Sequence, residues 1–529
     1  MTDTTCNEVG PVNTLFFKHS LLILAIIIIT VFFLLFGQTS IWFDEANYLV
    51  LAGAIREVGY PIWFDDPDKP SIFIDSPPGL LYLLSVFSTY VTADLLLIRL
   101  SNGLVFLLIA FLTLGIYIRR KGLDMILLSL TAIFCAVTYF FIVELVQVRM
   151  DLPLAALTFS VLILVALAEE ELKEHSERKL KALANWRLFL TIALLIFASS
   201  LLFLMKYQAI CVTACLFLSV VLYQDFRRLA CWLPLIAHIS GIAIGMLLLL
   251  AMVISNPFVP AAEVFDHIAF DFNRAASLPF VTAYYPSRIV AVIEGIFPKI
   301  IIPAIIFGDA MATIRSKSGL DPLLRLSLLM VVIVIAFNLA VHRIPGGGGR
   351  YMIQAVPPLG YLTAHAVNSL LRARRRWYVL IVACMLTVHA LLNIKVGGGG
   401  PERSTAWLDD LVGPFGRVDA GKVVAANVAP LLRSEEILLL GGKQSRVIPY
   451  WLNRPVGYGY LYGYLDMDPI RAESLLNQKG PRRVGALVFF GEEKPRFEEW
   501  SRVEALLARD FVRARVENVP GWTVYRRND

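Results

Sequence analysis

Charge is scarce in this sequence. Only 17% of its 529 residues are charged while 57% are hydrophobic, and the mean hydropathy is +0.67. A soluble globular chain carries nearer ~25% charge, so a water-soluble enzyme is excluded, and a disordered chain needs the opposite balance. Cysteine is sparse as well, with six residues and none after Cys384. No disulfide framework of a small secreted fold can be built from so few. Cys211 and Cys215 stand four apart on one apolar run, and without further ligands beside them they read as packing residues. The glycine runs at 346–349 and 397–400 lack the following Lys-Ser/Thr of a phosphate-cradling loop. Nucleotide binding is not expected there, and both read as flexible loops. No nucleic acid partner is expected either.

What the sequence holds instead is apolar runs. They cover 20–36, 100–118, 125–143, 152–168, 188–205, 208–223, 232–254, 289–307, 326–341, 352–371 and 378–394. A helix rising ~1.5 Å per residue crosses a ~30 Å hydrocarbon core with runs of this kind. The expected fold is a polytopic α-helical membrane protein with about 11–13 transmembrane helices. The first run has no small-residue cleavage pattern and is expected to remain as a span. The stretch 79–91 is apolar too. If it lies along the surface or re-enters, the basic clusters at 119–121, 173–187, 227–228, 315–325 and 372–376 all fall on one side, which is then the cytoplasm. The outer face receives 37–99, 144–151, 255–288, 342–350 and everything after the last span.

The tail differs in kind. Residues 397–529 carry 19 Lys+Arg against 17 Asp+Glu. Short apolar strands at 437–440, 486–490, 511–516 and 522–525 alternate with helical patterns at 469–477 and 497–508, which predicts an extracytoplasmic α/β or α+β domain. The division expected is thus a transmembrane part, 1–396, and a soluble part, 397–529.

The outer segments concentrate the residues able to do chemistry. Asp44 and Glu45 follow the first span; adjacent carboxylates repel, one pKa rises, and a general base for a hydroxyl results. The same pair suits the first turn of a helix over 46–57. Asp151 opens the fourth span with Pro153 behind it, a position that fits an N-cap and also aims a carboxylate outward. The segment 255–288 holds Glu263, Asp266, His267, Asp271, Arg274, Tyr284 and Tyr285, where His267 offers a metal or phosphate ligand and Arg274 a bidentate phosphate contact. Arg350 and Tyr351 open the tenth span, where a cation meets lipid headgroups. Glu294 and Lys299 lie inside or at the edge of the eighth.

In this order and sidedness, the motifs resemble those of the GT-C glycosyltransferases, in the branch of lipid-A aminoarabinose transferases and protein O-mannosyltransferases. Asp44-Glu45 looks like the family's Asp-Glu signature, and Ser76-Pro77-Pro78-Gly79-Leu80-Leu81-Tyr82 its Pro-Pro-Leu-Leu-Tyr element. Asp151 with Pro153, Asp266-His267 with Arg274, Tyr284-Tyr285 and Arg350-Tyr351 with Pro357-Pro358 match later positions. Two positions depart: Ser76 stands where relatives often have Lys or His, and His267 to Arg274 is a looser spacing.

The resemblance implies a membrane glycosyltransferase of the bacterial inner membrane. It would move a hexosyl or pentosyl group from a polyprenyl-phosphate donor to a lipid, glycan or protein acceptor. Asp44, Glu45 and Asp151 would be catalytic, and Tyr48, Lys69, Arg149, His267, Arg274, Tyr285, Arg350 and Tyr351 would bind substrate. Asp44, Asp151 and His267 also form an O/N donor set of the kind Mg²⁺ or Mn²⁺ accepts. Two rivals remain. A transporter or flippase would use the intramembrane charges Glu294, Lys299 and Arg99. An assembly factor would present the tail, whose Tyr458, Tyr460, Tyr462 and Tyr464 suit either sugar stacking or strand packing.

Overall fold

In a computed structural model of the chain the residues described are 43–73, 77–91, 94–136, 148–178, 183–224, 226–265, 321–341, 350–372, 420–455, 457–460, 469–490, 500–514 and 521–528, together with Thr30 and Val519. The expected spans at 20–36, 289–307 and 378–394, both glycine runs and the boundary at 397 lie outside them.

The membrane part is a bundle of apolar helices. α1 (Phe43–Val58) is followed by a β1–β2 hairpin (Ile62–Asp66, Lys69–Ile72), then α2 (Gly79–Tyr90), α3 (Leu95–Arg120), α4 (Ile126–Ala136), α5 (Asp151–Arg178), α6 (Leu183–Met205), α7 (Ile210–Tyr223), α8 (Leu229–Ser255), α9 (Pro322–Val341) and α10 (Val356–Arg372). Among the described residues, α3, α5, α6 and α8 each carry a stretch long and apolar enough to cross a membrane. α5 is the axis: its apolar stretch is entirely buried, as expected of a helix hydrophobic all round. α3, α6 and α9 pack on it. α2 has 12 residues, about 18 Å of helix, too short to span and consistent with an element lying at the rim.

Ion pairs mark the far end of the bundle. Arg120 and Lys121 at the end of α3 reach Glu171 and Glu170 of α5 at 2.6 and 2.5 Å, and Arg325 of α9 reaches Glu169 at 2.5 Å. Three of the basic positions that set the expected topology therefore gather on one helix end.

The tail builds a five-stranded sheet in the order β4-β3-β5-β7-β6. Its elements are α11 (Ala420–Val428), β3 (Ile437–Gly441), α12 (Val447–Trp451), β4 (Tyr458–Tyr460), α13 (Pro469–Asn477), β5 (Val484–Phe490), α14 (Trp500–Asp510), β6 (Phe511–Ala514) and β7 (Trp522–Arg527). β4, β3 and β5 run parallel, while β7 is antiparallel to both β5 and β6. β3 is buried along its whole length, because the sheet is covered on both faces. Ile437 and Leu439 pack with α13 and α14, and Leu438 and Leu440 with α11 and α12.

α1 lies between the two parts. Ala46 and Val50 join the core beneath the sheet, while Leu49, Leu51, Ala52 and Ile55 join the membrane core. Positions 46 and 50 are one turn apart and share a stripe, so the helix is apolar on two sides and holds the tail against the bundle.

Candidate active site

The rim where α1, α3 and α5 begin gathers most of the expected residues that can be seen. α1 starts at Phe43, so Asp44 and Glu45 occupy its first turn. Glu45 is fully buried: Oε1 accepts from Arg99 Nε at 2.7 Å and from Val148 N at 3.0 Å, and Oε2 accepts from Arg99 Nη2 at 2.6 Å. The Asp44 side chain, and with it the expected repulsion between the two carboxylates, lies outside the description. A guanidinium in bidentate contact compensates Glu45. Arg99, which a transporter would use as an intramembrane charge, is the partner in this clasp.

Successive helix positions differ by about 100°. By holding Glu45, the clasp sets the rotation of α1 and so the place of the backbone at Asp44. Tyr48, one turn on, packs edge-on against Phe73 with ring centroids 6.4 Å apart. The side chains of Asp44, Lys69, Arg350 and Tyr351 lie outside the description; Lys69 is the first residue of β2.

Asp151 is the first residue of α5, with the Met150 carbonyl accepting from Leu154 N at 3.0 Å. The cap position therefore falls on Met150, not on Asp151. The Asp151 carboxylate instead accepts from Lys206 Nζ at 2.5 Å. Lys206 lies in the short connection between α6 and the 3-10 turn Tyr207–Ala209. The sequence reading missed it, although it is the one charged residue between two long apolar runs. Arg149 is buried, and its carbonyl accepts from Asn102 Nδ2 at 3.1 Å, which ties this loop to α3.

Arg350 and Tyr351 open a 3-10 turn, Arg350–Ala355, rather than a transmembrane helix directly. The turn packs against α5 and is fixed by Gln354 Nε2 donating to Thr158 Oγ1 at 3.1 Å. The first turn of α1, the start of α5 and the 350–355 turn thus share one end of the bundle. Asp266, His267, Asp271, Arg274, Tyr284, Tyr285, Glu294, Lys299 and Ser76 lie outside the described residues.

The same rim carries the tail. Asp68, in the hairpin turn, accepts from Arg471 Nη2 at 2.6 Å and Gln478 Nε2 at 3.0 Å. Arg446 lies 5.2 Å from the Trp63 ring and 4.7 Å from the Tyr460 ring, a cation facing two rings that pack 5.7 Å apart. Tyr458 and Tyr460 are buried, with 0% and 2% exposure; of the two expectations they take strand packing, and Tyr462 and Tyr464 lie outside the description. Nearby, Tyr82 donates to the Gly59 carbonyl at 3.1 Å, and burial pushes its phenol up to about 12.

The described residues do not fit a divalent cation. Among them no group of three His, Cys, Asp or Glu is close enough to hold a metal. Lys206 already occupies an Asp151 oxygen and Arg99 both oxygens of Glu45. Neither His267 nor the side chain of Asp44 is among them.

No protein-family model matches the chain and no curated protein matches it significantly. Solved structures do. The crystal structure of ArnT from Cupriavidus metallidurans bound to undecaprenyl phosphate aligns over 98% of both chains with a TM-score of 0.59 at 15% identity. The archaeal oligosaccharyltransferase AglB from Archaeoglobus fulgidus, in complex with an inhibitory peptide and a dolichol-phosphate, aligns over 90% of this chain and 70% of its own with a TM-score of 0.53 at 12% identity. An Archaeoglobus fulgidus oligosaccharyltransferase in complex with zinc and sulfate gives a TM-score of 0.54 at 14% identity over 89% of this chain and 68% of its own. The chain shares the fold of these structures.

Proposed function

We propose that the chain is an integral membrane glycosyltransferase that moves a sugar from a polyprenyl-phosphate donor to an envelope acceptor, whether lipid A, another glycan or a protein. The observation that carries this reading is the meeting, at one rim, of the helix starts bearing Asp44 and Asp151 with the turn bearing Arg350 and Tyr351. It is supported by a fold shared with a protein crystallised on undecaprenyl phosphate. A donor carried by lipid reaches such a rim through the bilayer, with its phosphate at the interface.

In the mechanism, Asp44 accepts the proton of an acceptor hydroxyl as that oxygen attacks the anomeric carbon. The bond from that carbon to the phosphate oxygen breaks, and the lipid phosphate leaves with its electron pair. Arg274 and Arg350, with His267 or Lys69, stabilise the departing charge. A single displacement inverts the sugar carbon. Glu45 positions α1 through Arg99, and Asp151, neutralised by Lys206, orients the acceptor. Tyr48, Arg149, Tyr285 and Tyr351 border the substrates.

The test is sugar transfer from labelled polyprenyl-phosphate sugar in membranes. Asp44→Asn is expected to lose at least about a hundredfold in turnover, the usual worth of a general base; near-normal turnover removes Asp44 from this role. Substrate that equilibrates across vesicles without bond cleavage would instead establish the transporter. Because Lys206 already balances Asp151, transfer is expected to survive chelation by EDTA. Loss of activity restored by Mg²⁺ or Mn²⁺ would return Asp44, Asp151 and His267 to the role of metal ligands.

A further inference from the structure

A cavity of about 330 Å³ lies where α1, α2 and the start of α3 meet the tail segment 449–455, within the size range of small-ligand sites. Its membrane-side wall is apolar and includes Leu49, Leu84 and Ile98, while its charged lining is Arg56 and Arg454 without any carboxylate. Arg56 Nη2 donates to Asn453 Oδ1 at 3.0 Å. Arg454 donates to the carbonyls of Arg433 at 3.2 Å, Ser434 at 2.9 Å and Glu436. All of these acceptors are neutral, whereas Arg99, Lys206, Arg325 and Arg471 each meet a carboxylate within 2.6 Å. Burial opposes the Arg454 charge and lowers its pKa, an effect that the Glu436 carboxylate offsets only in part and that a further anion would offset more.

The cavity adjoins the start of a helix long and apolar enough to cross a membrane. Ile98 is in the first turn of α3, and α2 turns Leu83, Val86 and Tyr90 outward at 45%, 55% and 82% exposure, an apolar face suited to a bilayer surface. Asn453 holds a φ of 48°, the one positive value at a non-glycine position among the described residues. That backbone cost is accepted where its side chain meets Arg56.

We propose that this cavity seats the phosphate of a bilayer phospholipid, met by Arg56 and Arg454, with the acyl chains leaving past Leu84 and Ile98. The lipid then joins the tail to the membrane helices. The proposal stands independently of the transferase reading. Its test is native mass spectrometry of the full-length protein released from phosphatidylcholine nanodiscs containing phosphatidylglycerol. Retained phosphatidylglycerol is expected in the native protein and in Arg56→Lys. Arg56→Gln should reduce it by about tenfold, the worth of one charge-assisted hydrogen bond. Ser88→Phe, which fills the cavity and leaves both charges in place, should reduce it as much. Hydrogen exchange over 447–455 should slow in phosphatidylglycerol relative to phosphatidylcholine alone, and Ser88→Phe should abolish the difference. Equal retention by the native protein, Arg56→Gln and Ser88→Phe would overturn the proposal. Displacement of the lipid by millimolar inorganic phosphate would also overturn it, by assigning the cavity to a free anion.

Discussion

Glu45 and Arg99 show how a carboxylate buried in the fold is compensated. Both side chains are fully buried, and the 2.6 Å contact leaves each dependent on the other. Replacing such a pair by apolar groups is often tolerated, but removing one partner strands a buried charge at a cost of about 3–5 kcal/mol. Arg99→Met is therefore expected to lower the thermal unfolding temperature markedly in detergent. The double variant Glu45→Leu with Arg99→Met should recover much of the loss. Equal unfolding temperatures for single and double variants would show that the pair is not coupled. Neither partner was legible as structural from the sequence. Glu45 reads as half of a catalytic signature and Arg99 as an intramembrane cation, because their meeting spans 54 positions. Lys206 escaped notice for the same reason, its partner Asp151 being 55 positions away.

Elements were far more legible than their contacts. The helical pattern at 469–477 coincides with α13, and the strands expected at 437–440 and 522–525 differ from β3 and β7 only at their ends. β4 takes the strand alternative expected for Tyr458 and Tyr460, whereas the β1–β2 hairpin was not foreseen. The hairpin segment has two prolines and three acids between Pro61 and Phe73, a composition that argues against strands. Its pairing is nevertheless held by the tail, since Pro67 lies so near Gly459 that a Cβ there would come within 2.7 Å of its ring. Helix packing was equally invisible. Gly241 and Gly245 of α8 let α6 approach closely; a Cβ at 241 would fall 2.6 Å from Ser199 Cβ and one at 245 would fall 2.9 Å from Phe203 Cδ1. In the same contact His238 lies 2.8 Å from Ser199 Oγ and 3.1 Å from Thr213 Oγ1, tying α8 to α6 and α7. Gly241→Val is expected to destabilise by about 1–3 kcal/mol or more through overpacking, read as a lower unfolding temperature than Gly115→Val gives, since a Cβ at Gly115 meets only Leu128 at 3.8 Å.

At the scale of the molecule, the charges divide the bundle into two ends. The tail, the Asp44 helix and Asp151 share one; Arg120, Lys121 and Arg325 occupy the other with their acidic partners. The orientation proposed, tail outside and basic end in the cytoplasm, follows the positive-inside rule. Membrane-impermeant maleimide checks it in a background lacking Cys6, Cys231 and Cys384; the remaining Cys135, Cys211 and Cys215 are buried. Glu504→Cys should label in intact spheroplasts and Lys173→Cys only after permeabilisation. The reverse pattern would place Asp44 in the cytoplasm and end the lipid-donor reading.

Composition by itself determined that this chain belongs in a membrane, where its helices run and which segments carry reactive side chains, because hydropathy and periodicity are local properties summed along the chain. Only the tertiary structure decided which acid is compensated, which cation compensates it and how the tail is held. Those outcomes depend on distances between residues remote in sequence, set by packing around α5 and across α1, and no local pattern records them.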